Sequence, residues 1–123
     1  MLAPGKKEIK DLMKEWKKDK IKREEGKKYS ANSNIINKSS ISLLIEYNGD
    51  SVLLTGDSTI ELIKSKLDEL GGKITHINYI NLCHHGAGRN NRGILELIKN
   101  FNCDNVFLST NSVKHPEHPC LSM

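Results

Sequence analysis

The chain has 123 residues, 37% of them hydrophobic and 28% charged, with a net charge of +4; this suits one soluble domain with its own core and excludes both intrinsic disorder and an integral membrane class. No apolar run approaches the ~20 residues of a membrane span, and Lys6 and Lys7 are not followed by the apolar region of a signal peptide, so the expectation is a cytoplasmic protein with no membrane partner. Three cysteines, Cys83, Cys103 and Cys120, without C-x-x-C spacing argue against a disulfide framework and a cysteine zinc knuckle.

The positive charge sits near the start: residues 6–28 hold eleven Lys or Arg against six Asp or Glu, a net of +5, and the remainder sums to −1. From Gly5 to Gly26 the pattern is helical, with Ile9, Leu12, Met13 and Trp16 recurring at three and four residues as an apolar stripe. The stripe thins after Trp16, which predicts a firm helix to about Lys18 and a solvated continuation to Glu25. Eleven cations on one segment can grip a nucleic-acid backbone. The interleaved Glu8, Asp11, Glu15 and Asp19 favour pairing along a solvated face instead, and with Trp16 on the apolar face no aromatic stacking platform is expected.

The polar run Ser30 to Asn34 predicts a loop. Ile41–Tyr47 and Ser51–Thr55 are two strands whose Asn48-Gly49 connection specifies a tight antiparallel hairpin. Ser58 or Thr59 caps a helix through Ile60, Ile63, Leu67 and Leu70 that stops at Gly71-Gly72. Ile74–Leu82 is the next strand, Asn90 begins the turn into a helix through Ile94, Leu95, Leu97 and Ile98, and Val106–Ser109 is the last strand. The order β-β-α-β-α-β gives an α/β layer pair.

Two strand ends carry chemistry. Val52-Leu53-Leu54-Thr55-Gly56-Asp57 and the apolar strand ending in Cys83-His84-His85-Gly86 each finish at a glycine turn with a metal-ligand residue type at the C-terminal tip, where α/β proteins keep their sites. A carboxylate and an imidazole on neighbouring tips can converge on a divalent ion such as zinc. Asp57 can equally cap the helix after it. Adjacent residues at a strand end point to opposite faces, so one histidine of the pair is preferred as the ligand, His85, with His84 beside it in the candidate set or facing substrate. Cys83 reads as a small buried hydrophobe. Arg89, Asn90 and Asn91, just past this tip, are candidates to contact phosphate or simply a polar start to the next helix.

These residues, in order, resemble part of a known family. Leu2-Ala3-Pro4, Asn37-x-Ser39-Ser40, Asp57, His84-His85-Gly86, Asn90-Asn91, Ser109-Thr110-Asn111 and His115-Pro116 are similar to the second half of metallo-β-lactamase-fold hydrolases, in particular the soluble relatives of the hydrolase domain of ComEC-type DNA-uptake proteins. The resemblance implies the C-terminal half of an αββα sandwich, one mixed sheet with helices on one face. Residues 1–123 would be a partial domain, with 5–28 a lysine-rich helical insertion and 37–123 the sheet-helix half. It further implies that Asp57 bridges two metal ions, zinc or alternatively manganese, that His85 is the last metal histidine, and that His115 assists by binding a substrate oxygen or protonating a leaving group; the repeated His118-Pro119 leaves open which of His115 and His118 takes that part. The expected reaction is hydrolysis of an ester or phosphodiester, a nucleic acid being the favoured substrate.

The His-x-His-x-Asp-His motif of that family's first half has no counterpart here, and no His-x-His occurs at all. The expectation is therefore a half from a truncated, split or fragmentary gene, inactive alone, whose uncovered sheet binds the missing N-terminal half or a second copy. The alternatives are a non-catalytic remnant that binds a complementary chain, and a small basic nucleic-acid-binding module.

Overall fold

The computed structural model describes residues 1–110, 113 and 116–120. Nine elements follow one another: α1 (Lys6–Glu24), α2 (Ser33–Lys38), β1 (Leu43–Tyr47), β2 (Asp50–Leu54), α3 (Ile60–Asp68), β3 (Tyr79–Asn81), a 3-10 turn (Cys83–Gly86), α4 (Ile94–Asn100) and β4 (Asn105–Phe107). The strands form one mixed sheet in the order β1-β2-β3-β4. Asn48 and Gly49 both adopt positive φ, 51° and 90°, as the tight turn between twisted antiparallel strands requires, and this fixes the register Leu44↔Leu53. α3 and α4 are crossovers, so β2, β3 and β4 run parallel, with Leu53 opposite Ile80 and Ile80 opposite Val106.

Alternation along the strands separates two faces. On one, Leu53 and Ile80 are fully buried against Ile60, Ile63 and Leu67 of α3 and Ile94 and Leu97 of α4, with Ile77, Leu82 and Phe101 completing the core. The helical spacing of three and four residues puts each of those side chains on the sheet side. The other face carries Leu43, Ile45, Val52, Leu54, Tyr79 and Phe107. Among the described residues no helix covers it: Ile45 is 46% and Phe107 49% exposed, and the Tyr79 and Phe107 rings stack on one another at 5.3 Å. Among the described residues no helix is long and apolar enough to cross a membrane.

Three expectations need correction. The run 30–34 is a loop only as far as Asn32, whose side chain accepts from the Asn34 N–H at 3.0 Å and caps α2; the same Ser/Asn composition that marks loops also marks helix starts. The strand expected over 74–82 is paired only at Tyr79–Asn81. Ahead of it the Ile77 N–H donates to the Phe101 carbonyl at the end of α4, and Asn78 joins β2 with its N–H donating to the Ser51 carbonyl and its side chain accepting from the Ser51 N–H, so a bond to a helix end and a side-chain bond interrupt the regular ladder there. The solvated continuation of α1 past Lys18 runs to Glu24, helped by the Asp19–Arg23 pair at 2.9 Å. The apolar stripe of this helix does not pack inward: Ile9, Met13 and Trp16 are exposed, and the buried residue of α1 is Glu15.

Glu15 anchors α1 through polar bonds. Its carboxylate accepts from the Tyr29 hydroxyl, from Lys18 Nζ at 2.9 Å and from the Asn32 N–H at 3.3 Å. The Tyr29 hydroxyl, then Lys18, then the Asn32 amide hold its pKa at about 2, below the ordinary 4.5. A depressed carboxyl pKa stabilises the fold fully above the ordinary value and loses that contribution as pH falls through the folded value. The docking of α1 on the 29–32 segment should therefore be intact above pH 4.5 and loosen between 4.5 and about 2. Tyrosine fluorescence followed through an acid titration should step in that window, and Glu15→Gln should remove the step; identical profiles for the two proteins would refute the assignment.

Candidate functional site

Three parallel strands end along one edge, so the residues after β2, β3 and β4 are neighbours there. The first two ends are joined directly: the His84 N–H donates to the Gly56 carbonyl at 2.9 Å, and Thr55 Oγ1 donates to the Asn81 carbonyl at 2.8 Å. The third joins through His85, whose Nδ1 lies 2.6 Å from the Ser109 carbonyl oxygen. Gly56 has a φ of 57°, and a Cβ there would stand 2.8 Å from the Ile41 carbonyl oxygen, so only glycine lets β2 turn beside the segment leading into β1.

His84 and His85 occupy consecutive left-handed conformations, φ 45° and 55°, which cost non-glycine residues on the order of 1–3 kcal/mol each. The chain has left the strand by this point, so the alternation rule used above does not orient the two rings; the turn does, with ring centroids 6.0 Å apart and planes at 79°. Asn91, fully buried, holds the turn from inside. Its Oδ1 accepts from the Cys83 N–H at 2.9 Å, and its Nδ2 donates to the carbonyls of Cys83 and Ala87, each at 2.8 Å.

The partners of the two imidazoles fix different tautomers. A carbonyl oxygen only accepts, so in neutral His85 the proton sits on Nδ1 and Nε2 keeps its lone pair. Anchoring one ring nitrogen on a backbone carbonyl is the usual support of a metal-binding histidine. His84 is opposite: its Nδ1 lies 3.2 Å from the Asn37 side-chain nitrogen, an amide donor, so the lone pair is used there and Nε2 carries the proton. His84 is thus a hydrogen-bond donor towards a cleft of about 440 Å³ that Asn37, Arg89, Glu117 and His118 also line. The His84 and His118 rings meet edge to face, centroids 5.8 Å apart.

Asp57 is half-buried, and its backbone is held from both sides. Its N–H donates to Ser40 Oγ at 3.1 Å, and its carbonyl accepts from Asn90 Nδ2 at 3.0 Å. The helix cap is Thr59, whose hydroxyl accepts from the Leu62 N–H, so α3 leaves the Asp57 carboxylate free of capping duty. Asn90 is reassigned from substrate contact: buried, it spends its amide on the carbonyls of Asp57 and Ser58, so it positions the Asp57 turn. Arg89 is exposed, its guanidinium 3.5 Å from Ser33 Oγ. Cys83 is fully buried in the core, and burial pushes its thiol up to about 11. His115 lies outside the described residues, as does Asn111.

Sequence reasoning missed the parts played by Asn37, Ser40 and Asn91; His118, the alternative to His115 in the repeated His-Pro, lies against His84. Asn37 and Ser40 were visible only as a motif resemblance, because nothing in the pattern announced that α2 would bring them to the strand tips. Among the described residues no group of three or more His, Cys, Asp or Glu side chains is arranged to hold a metal ion; Asp57 and His85 each lie one residue beyond the bond from His84 N–H to the Gly56 carbonyl. No family model, curated protein or solved structure matches the chain.

Asn91 concentrates the stability of this turn in one side chain. Replacing it by Ala removes its bonds to the buried Cys83 N–H and carbonyl, while the Ala87 carbonyl keeps the Asn90 and Asn91 N–H groups; at ~1–3 kcal/mol for a group left wholly unsatisfied, Asn91→Ala should lower unfolding free energy by about 2–4 kcal/mol in urea titrations. A loss under ~0.5 kcal/mol, the level of an ordinary surface substitution, would mean that the left-handed pair is held by something else.

Proposed function

We propose that this chain is the C-terminal half of a metal-dependent hydrolase of the metallo-β-lactamase superfamily, acting on an ester or phosphodiester, with a nucleic-acid phosphodiester favoured. The observation that carries the reading is the bond from His84 N–H to the Gly56 carbonyl: Asp57 and His85 each lie one residue beyond it, a carboxylate and a correctly protonated imidazole on adjoining strand tips. The sequence resemblance supplies the family; the tip geometry is what favours it over a chance match of short motifs.

In this reading Asp57 and His85 Nε2 hold the metal, and His84 stays out of the coordination sphere because its lone pair faces Asn37. Bound zinc or manganese ions supply a hydroxide nucleophile and neutralise charge on the phosphoryl oxygens. His84 donates its Nε2–H to a substrate oxygen in the cleft, Arg89 faces the anionic part of the substrate, and His115 is assigned the auxiliary role of proton donor to the leaving group. A catalytic zinc takes about three protein ligands, so the remaining donors are assigned to a complementary segment bearing His-x-His-x-Asp-His.

The isolated chain should retain at most one weakly held zinc after dialysis. When a complementary half with the His-x-His-x-Asp-His motif is added, hydrolysis of a phosphodiester reporter should appear, and Asp57→Ala or His85→Ala should abolish it. His84→Ala should cost less, about 10–100-fold, as supporting residues around a metal do. Two tightly held ions on the chain alone, or near-normal rates for the Asp57 and His85 variants, would reject the proposal.

The open sheet face favours a second reading, a non-catalytic subunit that docks a complementary chain over Ile45, Leu54, Tyr79 and Phe107. An uncovered apolar face of this kind exceeds what soluble monomers usually expose, so sedimentation should give dimers or larger species, and Ile45→Lys with Phe107→Lys should return them to monomers. A wild-type chain that sediments as a monomer and binds no hydrophobic dye would argue against any docked sheet.

A further inference from the structure

Four acids of α1 share one side. Glu8, Asp11, Glu15 and Asp19 follow one another at three and four residues along the side that carries the buried Glu15, the side chains of Glu15, Asp19 and Asp11 being 8%, 25% and 38% accessible, and Lys14, Lys18 and Arg23 pair with them there. The opposite side presents Ile9, Met13 and Trp16, which are 41%, 52% and 61% exposed, in a single stripe that Lys20 extends. Lys6, Lys10 and Lys17 form a second stripe alongside, exposed and in no ion pair among the described residues. Of the acids in α1 only Glu24 lies outward, at the C-terminal end, 4.0 Å from Lys20.

We propose that α1 is an interfacial helix that docks this protein on an anionic lipid bilayer. Its outer face is a convex apolar ridge about 10 Å long from Ile9 to Trp16, at 1.5 Å per residue, bordered by cations whose aliphatic stems lie along it. That pattern fits a surface that is negative at the level of the lysines, apolar just beneath, and able to yield to a protruding helix. A second copy of the chain is disfavoured because it would bring the same lysines together. A nucleic acid would satisfy the lysines and stack on Trp16, but it offers Ile9 and Met13 nothing apolar to enter. The early expectation of no membrane partner rested on the lack of a spanning run, and a helix lying in the interface needs none.

Trp16 is the one tryptophan in the chain, so its emission reports the docking directly. The full chain should co-sediment with phosphatidylcholine vesicles containing phosphatidylglycerol, with a blue shift of Trp16, and should do neither with phosphatidylcholine alone; added salt should reverse the binding. Lys10→Glu with Lys17→Glu should weaken partitioning about twentyfold or more, at roughly fivefold per lysine lost. Met13→Asp should abolish the blue shift, with far-UV circular dichroism confirming that both exposed-site variants keep their helix. Absence of a shift on anionic vesicles, an equal shift on both vesicle types, or unchanged partitioning of the Lys10/Lys17 variant would overturn the proposal. So would Trp16 quenching by a single-stranded oligonucleotide without any vesicle response, which would assign the face to nucleic acid.

Discussion

The parallel pairing of β2 with β3 is the constraint on which the other features hang. Leu53 and Ile80 face each other in this pairing and fill the centre of the core, so a slip of one residue would turn both out of the helix-covered layer. With the register held by burial, the two strands end level with one another. The His84 amide then finds the Gly56 carbonyl, and the residues just beyond, Asp57 and His85, become neighbours although 28 positions separate them in sequence.

Strain at this edge is offset by interior bonds. Two left-handed histidines in succession would not persist in a free loop, and here the Asn91 amide closes the turn from within while the 116–120 segment closes it from outside. Cys120 N–H donates to the Gly86 carbonyl at 3.0 Å, and a Cβ on Gly86 would stand 3.2 Å from Pro119 Cα. The result is a pair of imidazoles with opposite tautomers, one presenting a lone pair and one a proton. Which of the two each ring presents follows from the backbone or side-chain group that its Nδ1 meets.

Two apolar surfaces remain open, and they differ in kind. The free sheet face is broad and nearly uncharged, a shape that another sheet or a second chain can cover. The outer ridge of α1 is narrow, convex and edged with lysines, while its acids are turned inward around Glu15. Hydrophobic periodicity gave both patterns in advance, but it identifies a face and not what the face meets. In α1 the polar bonds of Glu15 to Tyr29, Lys18 and Asn32 decided which side went in.

Much of the architecture was legible because it depends on local chemistry. Asn48-Gly49 permits positive φ and so dictates the hairpin, Thr59 caps α3, and the spacing of Ile60, Ile63 and Leu67 assigns its buried side. The candidate residues Asp57 and His85 could be picked out as ligand types at strand ends. Elsewhere composition misled: the run to Asn34 read as loop because capping and loop residues are the same types, and 74–78 read as strand because β-propensity does not reveal that the backbone partner is Phe101. By itself the sequence determined the order of helices and strands apart from α2, the hairpin and the chemical types at the strand tips, since these follow from backbone preference and from spacing over a few residues. The tertiary structure alone decided that Asn37 meets His84, that Ser109 sets the proton on His85, that Asn90 serves Asp57 and that Trp16 faces outward, because each depends on contacts between segments far apart in the chain.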